Sequence, residues 1–412
     1  MEDKVAETAA RTGRLLRQIP AGVWTLGFVS LLMDTSSEMI HGLLPVYLVS
    51  AMGASALMVG VIEGLAESTA LITRIFSGAL SDWVGKRKAL AVAGYGLAAV
   101  VKPIFPLADS VGWVIVARFL DRIGKGVRGA PRDALVADLT PPAVRGAAFG
   151  LRQALDTVGA FLGPAAAILL MLASGDDFRL VFWWAVLPGL ACVALLVVAV
   201  REPPEGVRRD RIAFPLAPSE LQRLGPRFWL VSAVAAIFTL ARFSEAFLIL
   251  RARSLGLGEA YSPLVLVIMN IVYALAAYPA GALSDRTGRR GVFLAGIGLL
   301  IASDLTLAAS PNLAGAAAGL VLWGLHMGFT QGLLSALVAD TAPEDLRGTG
   351  FGALNLVTGI AALAASIVAG ELWDRIGPQA TFLASAGFAA ASLVGVALAA
   401  RSFGRKDSPA KP

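Results

Sequence analysis

Residues 134–150 read ALVADLTPPAVRGAAFG, and residues 336–352, 202 positions later, read ALVADTAPEDLRGTGFG. A second pair, GALSDWVGKRK at 78–88 and GALSDRTGRRG at 281–291, recurs at an offset of 203. Two separate matches at nearly one spacing mean that the chain is built twice, in the same order and orientation. Each copy is strongly apolar. The sequence is 57% hydrophobic and 16% charged, with a mean hydropathy of +0.72, which sets it apart from soluble globular proteins. About 20 apolar residues cross a bilayer as a helix, and the sequence predicts twelve such spans. The expected fold is an all-α polytopic membrane protein with twelve transmembrane helices in two tandem six-helix bundles.

The basic residues fix the expected topology. Lys4, Arg11, Arg14 and Arg17 precede the first span, Lys86, Arg87 and Lys88 follow the second, and Arg201, Arg208, Arg209 and Arg211 separate the halves. Positive charge gathers on cytoplasmic loops, so both termini and the central loop are expected inside a prokaryotic plasma membrane. The net charge of +6 is then a signal of topology, and no nucleic-acid partner is expected. The expected organisation is a cytoplasmic tail (1–20), a first bundle (21–200), a cytoplasmic linker (201–226), a second bundle (227–401) and a second tail (402–412). The first span carries Asp34, Glu38 and His41 and has no small-residue cleavage site, so it reads as a retained helix. The lone Cys192 excludes an internal disulfide and reads as a small buried side chain.

Comparing the copies separates scaffold from function. At the 202-residue offset, Arg118, Asp121, Arg122 and Lys125 become Leu320, Trp323, Gly324 and Met327, while Arg152 and Asp156 become Leu354 and Thr358. The first half therefore carries charges that the fold itself does not need. Intramembrane charge is costly and usually functional. Asp34, Glu38 and His41 share one helical face by their i, i+4, i+7 spacing, and Glu63, Glu67 and Arg74 form a similar stripe on the second span. Lys102-Pro103 interrupts the third span. On the seventh, Arg242 stands three residues before Glu245, close enough on a helix to pair. Asp304 in the ninth span and His326 in the tenth are the remaining polar intruders.

These motifs resemble those of the major facilitator superfamily. The G-x-x-x-D-x-x-G-[RK]-[RK] loop after the second helix resembles its signature, and R-x-x-K-G-x-x-G at 122–129 resembles its fourth-helix motif, with Lys125 where Gln is more usual. Gly150, Gly159, Gly163 and Pro164 resemble the fifth-helix pattern of its proton-coupled exporters, although Ala167 and Ile168 replace the trailing glycines. The wider run DRIGKGVRGAPRDALVAD looks like a prokaryotic subgroup whose substrate is unassigned. The resemblance implies inside gates in which Asp82 and Asp285 meet helix N-termini near Arg347 and Arg145, with Gly78, Lys86, Arg87 and Arg289 completing the loops. The glycines also allow close helix packing, whatever the direction of transport.

The functional expectation is a secondary active transporter working by alternating access. Proton coupling is assigned to Asp34, Glu38, Glu67, Asp121 and Asp156, with Asp34 or Glu67 as the carrier, since such a group needs burial and a nearby cation. Lys102, Arg118, Arg122, Lys125, Arg152, Arg242 and Glu245 are assigned to the substrate. The cations favour proton-coupled export of a small anionic or zwitterionic solute. Export of lipophilic cations, proton-driven uptake and coupling to sodium remain open. The sequence has no phosphate-binding loop with Lys-Ser and no nucleophile elbow, so no enzyme is expected. Two His and one Cys on different spans give no dedicated transition-metal site; no cofactor is expected, and a single chain holding both halves is expected to act as a monomer.

Overall fold

The computed structural model describes residues 18–84, 86–201, 216–341 and 346–403. Its main helices are α1 (Ala21–His41), α2 (Ala56–Val84), α3 (Arg87–Val101), α4 (Val111–Leu139), α5 (Arg145–Ser174), α6 (Phe178–Ala199), α7 (Gly225–Leu240), α8 (Ala246–Ser254), α9 (Leu264–Thr287), α10 (Arg289–Ala309), α11 (Leu313–Thr341), α12 (Arg347–Arg375) and α13 (Pro378–Phe403). Among the described residues, nine helical segments are long and apolar enough to cross a membrane. Two more long helices, α1 and α4, carry Asp34, Glu38, Arg118, Asp121, Arg122 and Lys125, and the seventh span is divided into α7 and α8. A helix is the form in which a single segment satisfies its own backbone in lipid.

Interruptions occur where the sequence supplies a physical reason. α3 ends at Val101, and after Lys102 and Pro103 a short helix runs over Ile104–Leu107. After α1 the chain turns at Gly42 and Leu43, then continues through Leu44–Val46, where Pro45 lacks an N–H, into a wide turn at Tyr47–Ala51. α5 closes on Gly175, which has a φ of +69°, and the Asp177 carboxylate caps α6 by accepting from the Leu180 N–H at 3.1 Å. Of the linker, Pro218–Arg223 is a short helix, whereas 202–215 lie outside the described residues.

The chain forms two compact units. One comprises residues 1–41 and 73–213, the other 42–72 and 214–412. The end of the first span and the start of α2 thus pack within the unit that also contains α7 to α13. In the first unit, Val23, Leu26, Tyr95, Leu135, Cys192 and Leu196 share a buried core among α1, α3, α4 and α6. Phe228 and Ala235 of α7 pack with Ala353 and Leu354 of α12 in the second. Large apolar side chains such as Val100, Leu169, Leu187 and Leu275 remain exposed on the helices, as lipid-facing positions do.

One expectation for the seventh span needs correcting. Arg242 and Glu245 do not lie on a continuous helix: residues 241–245 are non-helical and join α7 to α8. The Ser244 hydroxyl oxygen accepts from the Ala246 N–H at 3.2 Å, and the Ser244 N–H donates to Ser366 Oγ at 3.3 Å. Local side-chain acceptors of this kind compete with continuous helix.

Candidate functional site

In the first unit, close helix approach sets the depth and direction of the charges. A Cβ on Gly94 of α3 would lie 2.8 Å from the Gly124 carbonyl oxygen, and one on Gly124 of α4 would lie 2.7 Å from the Gly94 oxygen. This contact brings the Arg128 guanidinium over the Tyr95 ring, 4.8 Å from its centre. α5 meets α1 the same way: a Cβ on Gly159 would stand 2.5 Å from Leu31 O, and one on Gly163 would stand 2.7 Å from Thr35 O. Pro164 is buried within α5. Gly150 has nothing within 4 Å of such a Cβ.

Two connected groups of charge result. In the first, Asp121 is held between Lys102 at 3.6 Å and Arg122 at 3.2 Å, and Lys102 donates to Ser37 Oγ at 3.2 Å. Lys102, Arg118, Asp121 and Arg122 are all buried. In the second, Asp156 of α5 faces Arg152 at 3.4 Å and Arg132 of α4 at 3.8 Å. Asp133 joins Arg132 at 3.1 Å, Arg74 at 3.4 Å and Arg152 at 3.9 Å. The Asp34 carboxyl lies near that of Asp156, with Arg128 and Lys125 as its neighbouring cations. Glu38 pairs with His41 at 3.2 Å. Lys125 is exposed and makes no hydrogen bond or ion pair with a described residue.

The other assigned residues lie elsewhere. Glu67, exposed on α2, belongs to the second unit, where it and Glu245 provide the negative charge near Arg242. The Arg242 guanidinium lies 5.8 Å from the centre of the Phe238 ring. On the motif loop, Arg87 pairs with Asp138 of α4 at 2.8 Å, and Gly78 sits beside Ala130. Lys86 and Arg145 are exposed. The side chains of Asp82, Asp285, Arg289 and Arg347 lie outside the described residues.

Sequence reasoning passed over Arg132 and Asp133, which tie α4 to α2 and α5. The signal was available: at the same 202-residue offset they become Leu334 and Ser335. Among the described residues, no group of three His, Cys, Asp or Glu converges to hold a metal.

Repeated apolar helices with buried charge on the fourth are an arrangement that membrane transporters use. The Major Facilitator Superfamily profile matches residues 26–251 and 243–412, and the chain belongs to that superfamily. An uncharacterised MFS-type transporter of Methanocaldococcus jannaschii is 35% identical over 376 residues, covering 89% of this chain and 92% of the relative. The inner membrane transport protein YajR of Escherichia coli is 24% identical over 386 residues, covering 89% and 80%. Among solved structures, a POT family transporter in complex with a thioalcohol-conjugated peptide aligns with a TM-score of 0.79 at 13% identity, covering 94% of this chain and 97% of that one. That likeness is one of fold.

Proposed function

We propose that this multi-pass transporter is a secondary active exporter working by alternating access, in which inward proton flow drives a small anionic or zwitterionic solute outward. The observation that carries the substrate class is Lys125: an exposed cation in no hydrogen bond or ion pair with a described residue, beside a cluster in which Lys102, Arg122, Arg132 and Arg152 already share Asp121, Asp133 and Asp156. A carboxylate, phosphate or sulfate on the solute would complete the balance. The proximity of Asp34 to Asp156 supports proton coupling, because two neighbouring buried carboxyl groups repel when both are charged. The chain is read as a monomer in a prokaryotic plasma membrane with both termini cytoplasmic, on the distribution of its basic residues.

A thermal-shift screen of the purified protein against anions, zwitterions and lipophilic cations tests this reading. A ligand at a hundredfold excess over Kd adds about 2.7 kcal/mol to apparent stability. Anions or zwitterions should stabilise the wild type, with the effect lost in Lys125→Ala and weakened in Arg122→Ala. Stabilisation by lipophilic cations alone, unchanged in both variants, would replace this reading with a multidrug-type exporter. Direction follows in inside-out vesicles, where an acidified lumen should drive accumulation of the stabilising ligand.

A further inference from the structure

The second unit contains a buried acid that the charged cluster of the first unit does not involve. Asp304 of α10 is fully buried, as is Ser385 of α13. The Ser385 hydroxyl oxygen lies 2.5 Å from Asp304 Oδ2 and 2.6 Å from the carbonyl oxygen of Ala241. Ala241 opens the non-helical stretch between α7 and α8. Both separations are hydrogen-bond lengths between oxygens, and each needs a proton. The hydroxyl brings one proton and the backbone carbonyl none. The second must sit on the carboxyl: Asp304 donates to Ser385 Oγ, and Ser385 donates to Ala241 O.

Two further observations agree. Asp304 Oδ1 is buried with no hydrogen-bond partner; this is tolerable for the carbonyl oxygen of a neutral acid and very costly for an anion in an apolar interior. Nor do the described residues supply a counter-cation. α9, α11 and α13 pack against α10, and their described ionisable side chains are Tyr273 and Tyr278 of α9 and His326 of α11. His326 Nδ1 is engaged with the Gly296 carbonyl at 2.9 Å. Arg242, in the break, has Glu245 and Glu67 as its neighbouring acids, and its guanidinium lies 5.8 Å from the centre of the Phe238 ring. None of these forms a hydrogen bond or ion pair with Asp304.

We infer that Asp304, Ser385 and the Ala241 carbonyl form a second proton-binding site, one that clamps the break in the seventh span. The inference rests on the transporter reading but not on the substrate or direction proposed above. When the proton leaves Asp304, the single hydroxyl proton of Ser385 can serve only one acceptor, and the carboxylate is the stronger. The hydroxyl turns to Asp304, and the Ala241 carbonyl loses its donor. Arg242 and Glu245 lie one and four residues beyond that carbonyl, so proton release at Asp304 unclamps the segment that carries them. Broken helices with freed backbone carbonyls are where carriers couple ions to movement.

Infrared spectroscopy of the full-length protein in lipid, at neutral pH and in potassium buffer, tests the site. The wild type should show a protonated-carboxyl stretch that shifts in deuterated water and is absent from Asp304→Asn; the wild-type minus variant difference isolates it from other acids. Ser385→Ala keeps the acid but removes its acceptor, so the same band should move to higher frequency. An identical carboxyl spectrum in wild type and Asp304→Asn overturns the assignment. So does loss of the band when sodium replaces potassium, which would make the three oxygens a sodium site. Because the readout needs no substrate, failure of the export reading leaves this result standing, and the reverse also holds.

Discussion

At the scale of single residues, Asp121 supports the buried side of the charged cluster. It is the acid between Lys102 and Arg122, and all three are buried. Removing one member of such a group strands charge in a low-dielectric site, at a cost of about 3–5 kcal/mol. Asp121→Leu should therefore lower apparent stability sharply in a detergent melt, and Lys102→Met in the same chain should recover a substantial part. A double variant no more stable than Asp121→Leu alone would show that Lys102 does not depend on Asp121. Much of this cluster could be read from the sequence, since comparing the two copies exposes Arg118, Asp121, Arg122, Arg152 and Asp156 as extra charge. Its pairing could not. Helix spacing joins Arg152 to Asp156, whereas the Lys102–Asp121 and Arg132–Asp156 contacts join different segments of the chain and depend on rotations that no local pattern encodes.

At the scale of elements, the seam between α1 and α5 gives a prediction with an internal control. Gly159→Ala places a methyl group 2.5 Å from the Leu31 carbonyl oxygen, against backbone that cannot swing away. Overpacking of this kind costs about 1–3 kcal/mol. Gly150→Ala, on the same helix, meets nothing within 4 Å and should leave stability unchanged or raise it by about 0.4–1 kcal/mol. Apparent melting temperatures of the two variants decide the matter: equal values would mean that α5 does not approach α1 at Gly159. The sequence shows both glycines as one motif, because spacing alone does not tell which face of α5 meets a neighbour. The break between α7 and α8 escaped sequence reasoning for a related reason. No Gly or Pro marks Ala241 to Glu245; the partners that satisfy its backbone, Ser366 and Ser385, come from distant helices.

At the scale of the molecule, residues 42–72 belong to the unit that contains 214–412. Several contacts hold them there. Both oxygens of Asp374, near the end of α12, accept from the first N–H groups of α2, Ala56 at 3.0 Å and Leu57 at 2.8 Å. This caps a helix with a carboxylate where its dipole favours negative charge. A Cβ on Gly60 would collide with the Ser366 carbonyl, and one on Gly42 would lie 2.9 Å from Pro263 Cβ. In alternating access one bundle rocks against the other, so such contacts part during the cycle if residues 42–72 travel with the first bundle expected from the sequence. Asp374→Ala should loosen the seam by about 0.5–2 kcal/mol, read as faster amide exchange at Ala56 and Leu57. Locking it tests the larger idea. Gly42 and Pro263 can be joined as cysteines after modest relaxation toward disulfide geometry, in a Cys192→Ser background that removes the single native thiol. Oxidation should cross-link the chain and arrest solute flux in proteoliposomes, and reductant should restore it. If the cross-link forms fully and flux continues at the reduced rate, residues 42–72 do not leave Pro263 during transport and travel with the unit that contains 214–412.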